Sequence, residues 1–66
     1  METENVIIEI SDLGQGFYNW TVKLKHEEYS GIDDDLNYLK MVEIPDEMTK
    51  YEMEYDCKVI YEIKQV

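Results

Sequence analysis

Sixty-six residues make one small domain, residues 1–66, and sixteen acids against six lysines give it a formal charge of −10 with no arginine. A chain so poor in cations argues against direct binding of DNA or RNA, whose phosphates must be met by gathered positive charge. The single cysteine, Cys57, rules out an internal disulfide, and the lack of a Cys/His cluster argues against structural zinc.

Hydrophobic residues make up 44% of the chain, and six tyrosines, one tryptophan and one phenylalanine give it bulk. That composition is globular rather than disordered. A chain of this size buries only about 60% of its unfolded surface, so its core is marginal and a second copy is a common support. A homodimer is therefore among the expectations. Alanine is absent while tyrosine, isoleucine and valine abound, which favours strands. No stretch approaches the roughly 20 apolar residues of a membrane span. The acidic Met1-Glu2-Thr3-Glu4 start lacks the basic and apolar segments of a signal peptide, so the expected setting is reducing and cytoplasmic, the host cytoplasm if the source is viral.

Asn5 to Ser11 alternates, with Val6, Ile8 and Ile10 on one face and Ile7 and Glu9 on the other. Gly14 and Gly16 mark a turn. Phe17 to Lys25 then places Tyr18, Trp20, Val22 and Leu24 on one face, and the two runs read as a β-hairpin. His26 to Asp35 is rich in acids and reads as a polar loop with its bend at Gly31. Leu36 to Ile44 fits a strand that shares a face among Leu36, Tyr38, Val42 and Ile44. It also fits a helix capped by Asp33. Pro45 argues against helical geometry at Ile44, and Pro45-Asp46 suits a type I turn. Tyr51 to Ile63 shows apolar residues at every odd position, the pattern of a half-buried strand. The expected fold is a β-rich antiparallel meander of three or four strands. The alternative is α+β, with residues 34–43 helical and packed on a three-stranded antiparallel sheet.

The charge is unevenly placed. Between Glu27 and Asp56 lie eleven acids against Lys40 and Lys50 alone, so this segment holds −9 of the total of −10. Solubility is the plain reading of such a charge. The functional reading is attraction to a basic protein surface. If Tyr51 to Ile63 is a strand, Glu52, Glu54 and Asp56 repeat about every 6.6–6.8 Å along one face. Such a row could occupy a groove built for phosphates. With Asp33, Asp34, Asp35, Glu43, Asp46 and Glu47, these residues form the expected partner-binding set. In size and acidity the chain is similar to the small inhibitors that bacteriophages make against host nucleases, glycosylases and CRISPR effectors. That resemblance implies a non-enzymatic inhibitor or nucleic-acid mimic acting on a DNA- or RNA-handling enzyme.

The other expected reading is a small assembly or accessory protein that docks by apolar contact or β-edge pairing. Ile7 and Ile60 point away from their strands' apolar faces, and together they would make its interface. Chemistry finds little support. Asp33 to Asp35 are adjacent, whereas calcium loops alternate their ligands, so no metal or cofactor is expected. His26 has no positioned partner in the sequence, Cys57 falls on an apolar face, and Gly14-x-Gly16 precedes a strand rather than a helix. No enzyme is expected.

Overall fold

The first hairpin forms where the alternation places it. In the computed structural model, which describes residues 1–66, β1 (Glu2–Gly14) pairs antiparallel with β2 (Phe17–Lys23). Gly14, Gln15 and Gly16 all have positive φ, and the Asp12 carboxylate accepts the Gly14 N–H at 2.8 Å, closing a turn that glycine favours. Ile8, Ile10, Trp20, Val22 and Leu24 are buried on one face of the hairpin, while Ile7 is exposed on the other.

A third strand follows where a loop was expected. β3 (Glu28–Asp33) pairs antiparallel with β2 along its whole length. Its core-facing positions are Tyr29, Gly31 and Asp33, so only one of the three is a large apolar residue and the period is nearly silent. Gly31 is not a bend. It lies opposite Trp20, and a Cβ there would stand 2.6 Å from the indole nitrogen. Glycine is required because the nitrogen edge of the Trp20 indole lies against the β3 backbone.

Residues 36–55 form one helix, α1, so Leu36 to Ile44 is not a strand and Pro45-Asp46 is not a turn; the helical alternative holds and extends beyond its expected end at residue 43. Asp35, not Asp33, is the N-cap: its carboxylate accepts the Tyr38 N–H at 3.0 Å, while Asp33 accepts the Asp35 N–H at 2.9 Å. Pro45 does not end the helix because the backbone widens before it. Leu39–Glu43 is a π-helical stretch, with the Ile44 N–H donating to the Leu39 carbonyl. The wider turn makes room for a proline ring that would otherwise clash with the preceding turn, at the point where its missing N–H leaves the ladder incomplete. Ile44–Tyr55 then continues as α-helix to Asp56, which takes the left-handed conformation at φ 49° and donates its N–H to the Glu52 carbonyl.

The expected strand from Tyr51 is thus corrected in its first six residues, Tyr51 to Asp56. Tyr51 and Tyr55 have the same parity in a strand, but they are also four apart, one helical turn. Met53 separates the readings: a strand would bury it with its neighbours, and it is 79% exposed. The strand itself, β4 (Cys57–Gln65), begins after Asp56. It runs parallel to β1, from Glu2 opposite Cys57 to Ile10 opposite Gln65, so the sheet is mixed rather than wholly antiparallel. Its order is β3-β2-β1-β4, and α1 carries the chain from one edge to the other. A parallel pair needs such a crossover. The result is a small α+β domain.

The core is a single layer between sheet and helix. Leu39, Ile44, Met48 and Tyr51 of α1 meet Ile8, Ile10, Trp20, Val22, Leu24, Cys57 and Val59. Each fully buried large side chain contributes about 1.5–3 kcal/mol relative to exposure. Gly31→Ala should force the Trp20 ring off β3 and lower unfolding free energy by about 1–3 kcal/mol, the usual scale of overpacking. Chemical denaturation followed by tryptophan fluorescence measures it. An unchanged midpoint would show that Trp20 is free to move.

Candidate functional site

Packing of the apolar stripe sets the rotation of α1, and rotation decides where each carboxylate goes. Ile44, Met48 and Tyr51 face the sheet. Glu43, Glu47 and Glu54 are spaced by four and seven residues and so share one flank, about 6 and 10.5 Å apart along the axis. That flank faces β3. The Glu43 carboxylate accepts the Trp20 indole N–H at 2.9 Å, and Glu43 and Glu47 line a shallow groove with Trp20, Tyr29 and Ile32. Glu54 lies near enough to Tyr29 and Tyr55 for its charge to help raise both phenols. Glu27, from the β2–β3 turn, accepts the Tyr29 hydroxyl at 2.7 Å and adds a fourth carboxylate to the flank. The Tyr29 hydroxyl is pushed well above its ordinary value, first by burial and then by Glu27.

The expected row of Glu52, Glu54 and Asp56 does not exist. On a helix, Glu52 and Glu54 are about 200° apart. Glu52 turns to the opposite flank and accepts the Val59 N–H of β4 at 2.8 Å. Asp56 sits exposed in the helix-terminating turn. Asp46 is exposed and pairs with Lys50 at 3.2 Å, and Glu47 reaches the same lysine at 3.9 Å. Asp33, Asp34 and Asp35 cluster at the other end of the helix. Two of them serve the cap, and Asp34 is exposed. Lysine offsets only part of the set: Lys50 alone makes ion pairs on α1, with Asp46 and Glu47, and Lys40 hydrogen-bonds Gln65. Sequence reasoning placed these acids in one segment but left Glu27 out of the binding set, because the β2–β3 turn that aims it was not foreseen.

Ile7 and Ile60 do lie together. Both are more than half exposed on the sheet face away from the helix, on the adjacent strands β1 and β4, where Ile60 stands opposite Asn5 and Ile7 opposite Glu62. Three lysines and three glutamates share that face, Lys23, Lys58, Lys64, Glu9, Glu28 and Glu62, so it carries no net charge.

A second polar cluster ties the far end of the helix down. Glu4 of β1 accepts hydrogen bonds from the Tyr51 hydroxyl and, at 2.8 Å, from the Lys25 N–H. Tyr51 is completely buried, and burial with the adjacent Glu4 pushes its phenol up to about 12. The hydrogen bond from Tyr51 holds the Glu4 carboxyl below its ordinary range. His26 stacks on Tyr55 with ring centroids 4.7 Å apart. Cys57 is buried nearby, and burial raises its thiol, so it is a poor nucleophile at neutral pH. No group of three or more His, Cys, Asp or Glu side chains converges to hold a metal ion, and no helix is long and apolar enough to cross a membrane. A scan against protein-family models, a search of curated proteins and a search of solved structures each return no match to this chain.

The signs of the two shifts give opposite pH dependences. The lowered Glu4 pKa contributes stability above the ordinary value of 4.5 that is lost as pH falls through the folded value. The raised Tyr51 pKa contributes stability below 10 that is lost as pH rises toward about 12. General acidification also relieves repulsion in so negative a chain, so the comparison must be with a variant. Glu4→Gln should melt below the parent at neutral pH, with the gap closing as the pH falls below 4.5. A gap constant across that range in thermal melts would deny Glu4 its role.

Proposed function

We propose that this chain is a non-enzymatic acidic binding protein that presents the β3 flank of its helix to a basic protein surface. A DNA- or RNA-handling enzyme is the target class, blocked by occlusion or by mimicry of nucleic-acid charge. The observation that carries this reading is the charge at the C-terminal half of α1. A helix carries partial negative charge at its C-terminus and favours cations there. This one has Glu52, Glu54 and Asp56 and no basic residue in its last turn. Glu52 has a structural use at Val59, and the aspartates at the N-terminus have theirs as a cap. Glu54 makes no ion pair or hydrogen bond with the rest of the chain, and it stands where the fold disfavours it. With Glu43, Glu47 and Glu27 it supports a surface arranged for outside cations, which carboxylates receive through charge-assisted hydrogen bonds.

Phosphate mimicry on this reading is helical. Its charges are spaced by helical turns and not by a strand's pleat.

Fold stability and binding should therefore move in opposite directions. Glu54→Lys should stabilise the isolated domain by about 0.3–1 kcal/mol through the helix dipole. The same change should weaken capture of nucleic-acid-handling enzymes by immobilised protein, and parental capture should fall steeply as salt rises. Capture that is flat in salt, or that survives Glu47→Lys with Glu54→Lys, would contradict the proposal.

A further inference from the structure

The other edge of the sheet points to a second copy of this chain. β4 is the outer strand, paired with β1 on one side only. Natural edges are usually blunted by shortness, proline, a bulge or charge, and of these β4 carries only charge, as Lys58, Glu62 and Lys64. β4 has nine residues, no proline and an unbroken register against β1. The Val66 N–H donates to Ile10 of β1, and the Val59 N–H is met instead by the Glu52 side chain. Even-numbered residues thus direct their backbone groups to β1. Cys57, Val59, Tyr61 and Ile63 direct theirs to the open edge.

The exposed side chains along this edge read Lys58, Ile60, Glu62, Lys64 at alternate positions. Reversed about Ile60, the order of charges from Lys58 to Glu62 is complementary to itself. We infer that β4 pairs antiparallel with β4 of a second copy about a two-fold axis through Ile60, making one eight-stranded sheet. In that register Lys58 opposes Glu62 of the second copy, and the two Ile60 side chains meet at the axis. On the helix side Val59 meets Tyr61 and Cys57 meets Ile63. Tyr61 and Ile63 are partly buried core-side residues at the rim, and the pairing would cover them. The smallest slip that keeps both helices on one side is two residues. One such slip sets Lys58 against Lys64, and the other sets Lys58 against Ile60, so each loses both Lys58–Glu62 pairs. Charge therefore selects the register. The edge is also the place where two copies of a −10 chain can approach through matched charges. The acidic flank lies at the β3 edge, so both copies of it stay free.

Glu52 is the gate. Its carboxylate holds the Val59 N–H that the second copy's Tyr61 carbonyl must take, so pairing requires Glu52 to swing out. Two such carboxylates would lie close to the axis.

Sedimentation equilibrium of the full chain over a wide concentration range tests the inference. The parent should dimerise reversibly. Lys58→Glu and Glu62→Lys should each weaken the dimer roughly tenfold, because each turns two attractive cross-strand pairs into repulsive ones. The double reversal should restore it. Glu52→Ala should tighten it. Ile60→Cys should form an intermolecular disulfide on mild oxidation, because opposed residues at a non-hydrogen-bonded pair have Cα atoms about 4.5 Å apart, within disulfide reach. A monomer at every concentration with no Ile60→Cys cross-link, or a dimer that the double reversal fails to restore, would overturn the inference.

Discussion

The burial of Ile44, Met48 and Tyr51 against the sheet is the constraint on which the rest of the structure depends. These three side chains are almost wholly removed from water, and they fix the helix in rotation as well as in place. Once they face inward, the intervening carboxylates have no choice of direction. Glu43, Glu47 and Glu54 go to the β3 side, Glu52 goes to the β4 side, and Asp46 goes outward with Lys50. The distribution of charge is thus a consequence of hydrophobic packing, since no carboxylate is free to choose its flank independently of the core.

The same constraint explains the topology. The helix starts beside the end of β3 and must deliver the chain to the far side of β1. It crosses the sheet, and β4 therefore runs parallel to β1. Tyr51 locks the end of that crossing. Its hydroxyl donates to Glu4 on β1 and accepts the His26 N–H from the turn after β2 at 3.3 Å, so one phenol joins three separated parts of the chain. In a domain with only eleven buried residues, such a joint carries much of the cooperativity. One flank of the molecule is left acidic, and β3 and β4 are each paired on one side only.

Much of this was legible in the sequence, and the failures have physical causes. The β1–β2 hairpin is local and alternates cleanly, and its turn is marked by two glycines. The exposed Ile7 and Ile60 followed from the same parity. β3 was hidden because Gly31 and Asp33 occupy positions that would otherwise announce a buried face; Gly31 is there for Trp20, a contact from another strand. The helix reads as two strands about a turn because Leu36, Tyr38, Val42 and Ile44 share a strand face, Pro45 argues against a helix, and Tyr51 and Tyr55 satisfy both periods. A π-helical turn before the proline removes that prohibition, and a sequence gives no sign of it. The parallel pairing of β1 with β4 joins residues more than fifty positions apart, beyond the reach of any local pattern. The acids of the binding set were therefore found by segment but arranged wrongly in space.

The measurement that bears most directly on this account is the backbone conformation of residues 51–56 in solution, read from carbon chemical shifts and from nuclear Overhauser contacts of the Tyr51 ring. Helical shifts through Tyr55, with the Tyr51 ring close to Glu4 and His26, are the expected result. Extended shifts from Tyr51 onward, with Glu52, Glu54 and Asp56 on a common strand face, would contradict it and return the carboxylates to a straight row.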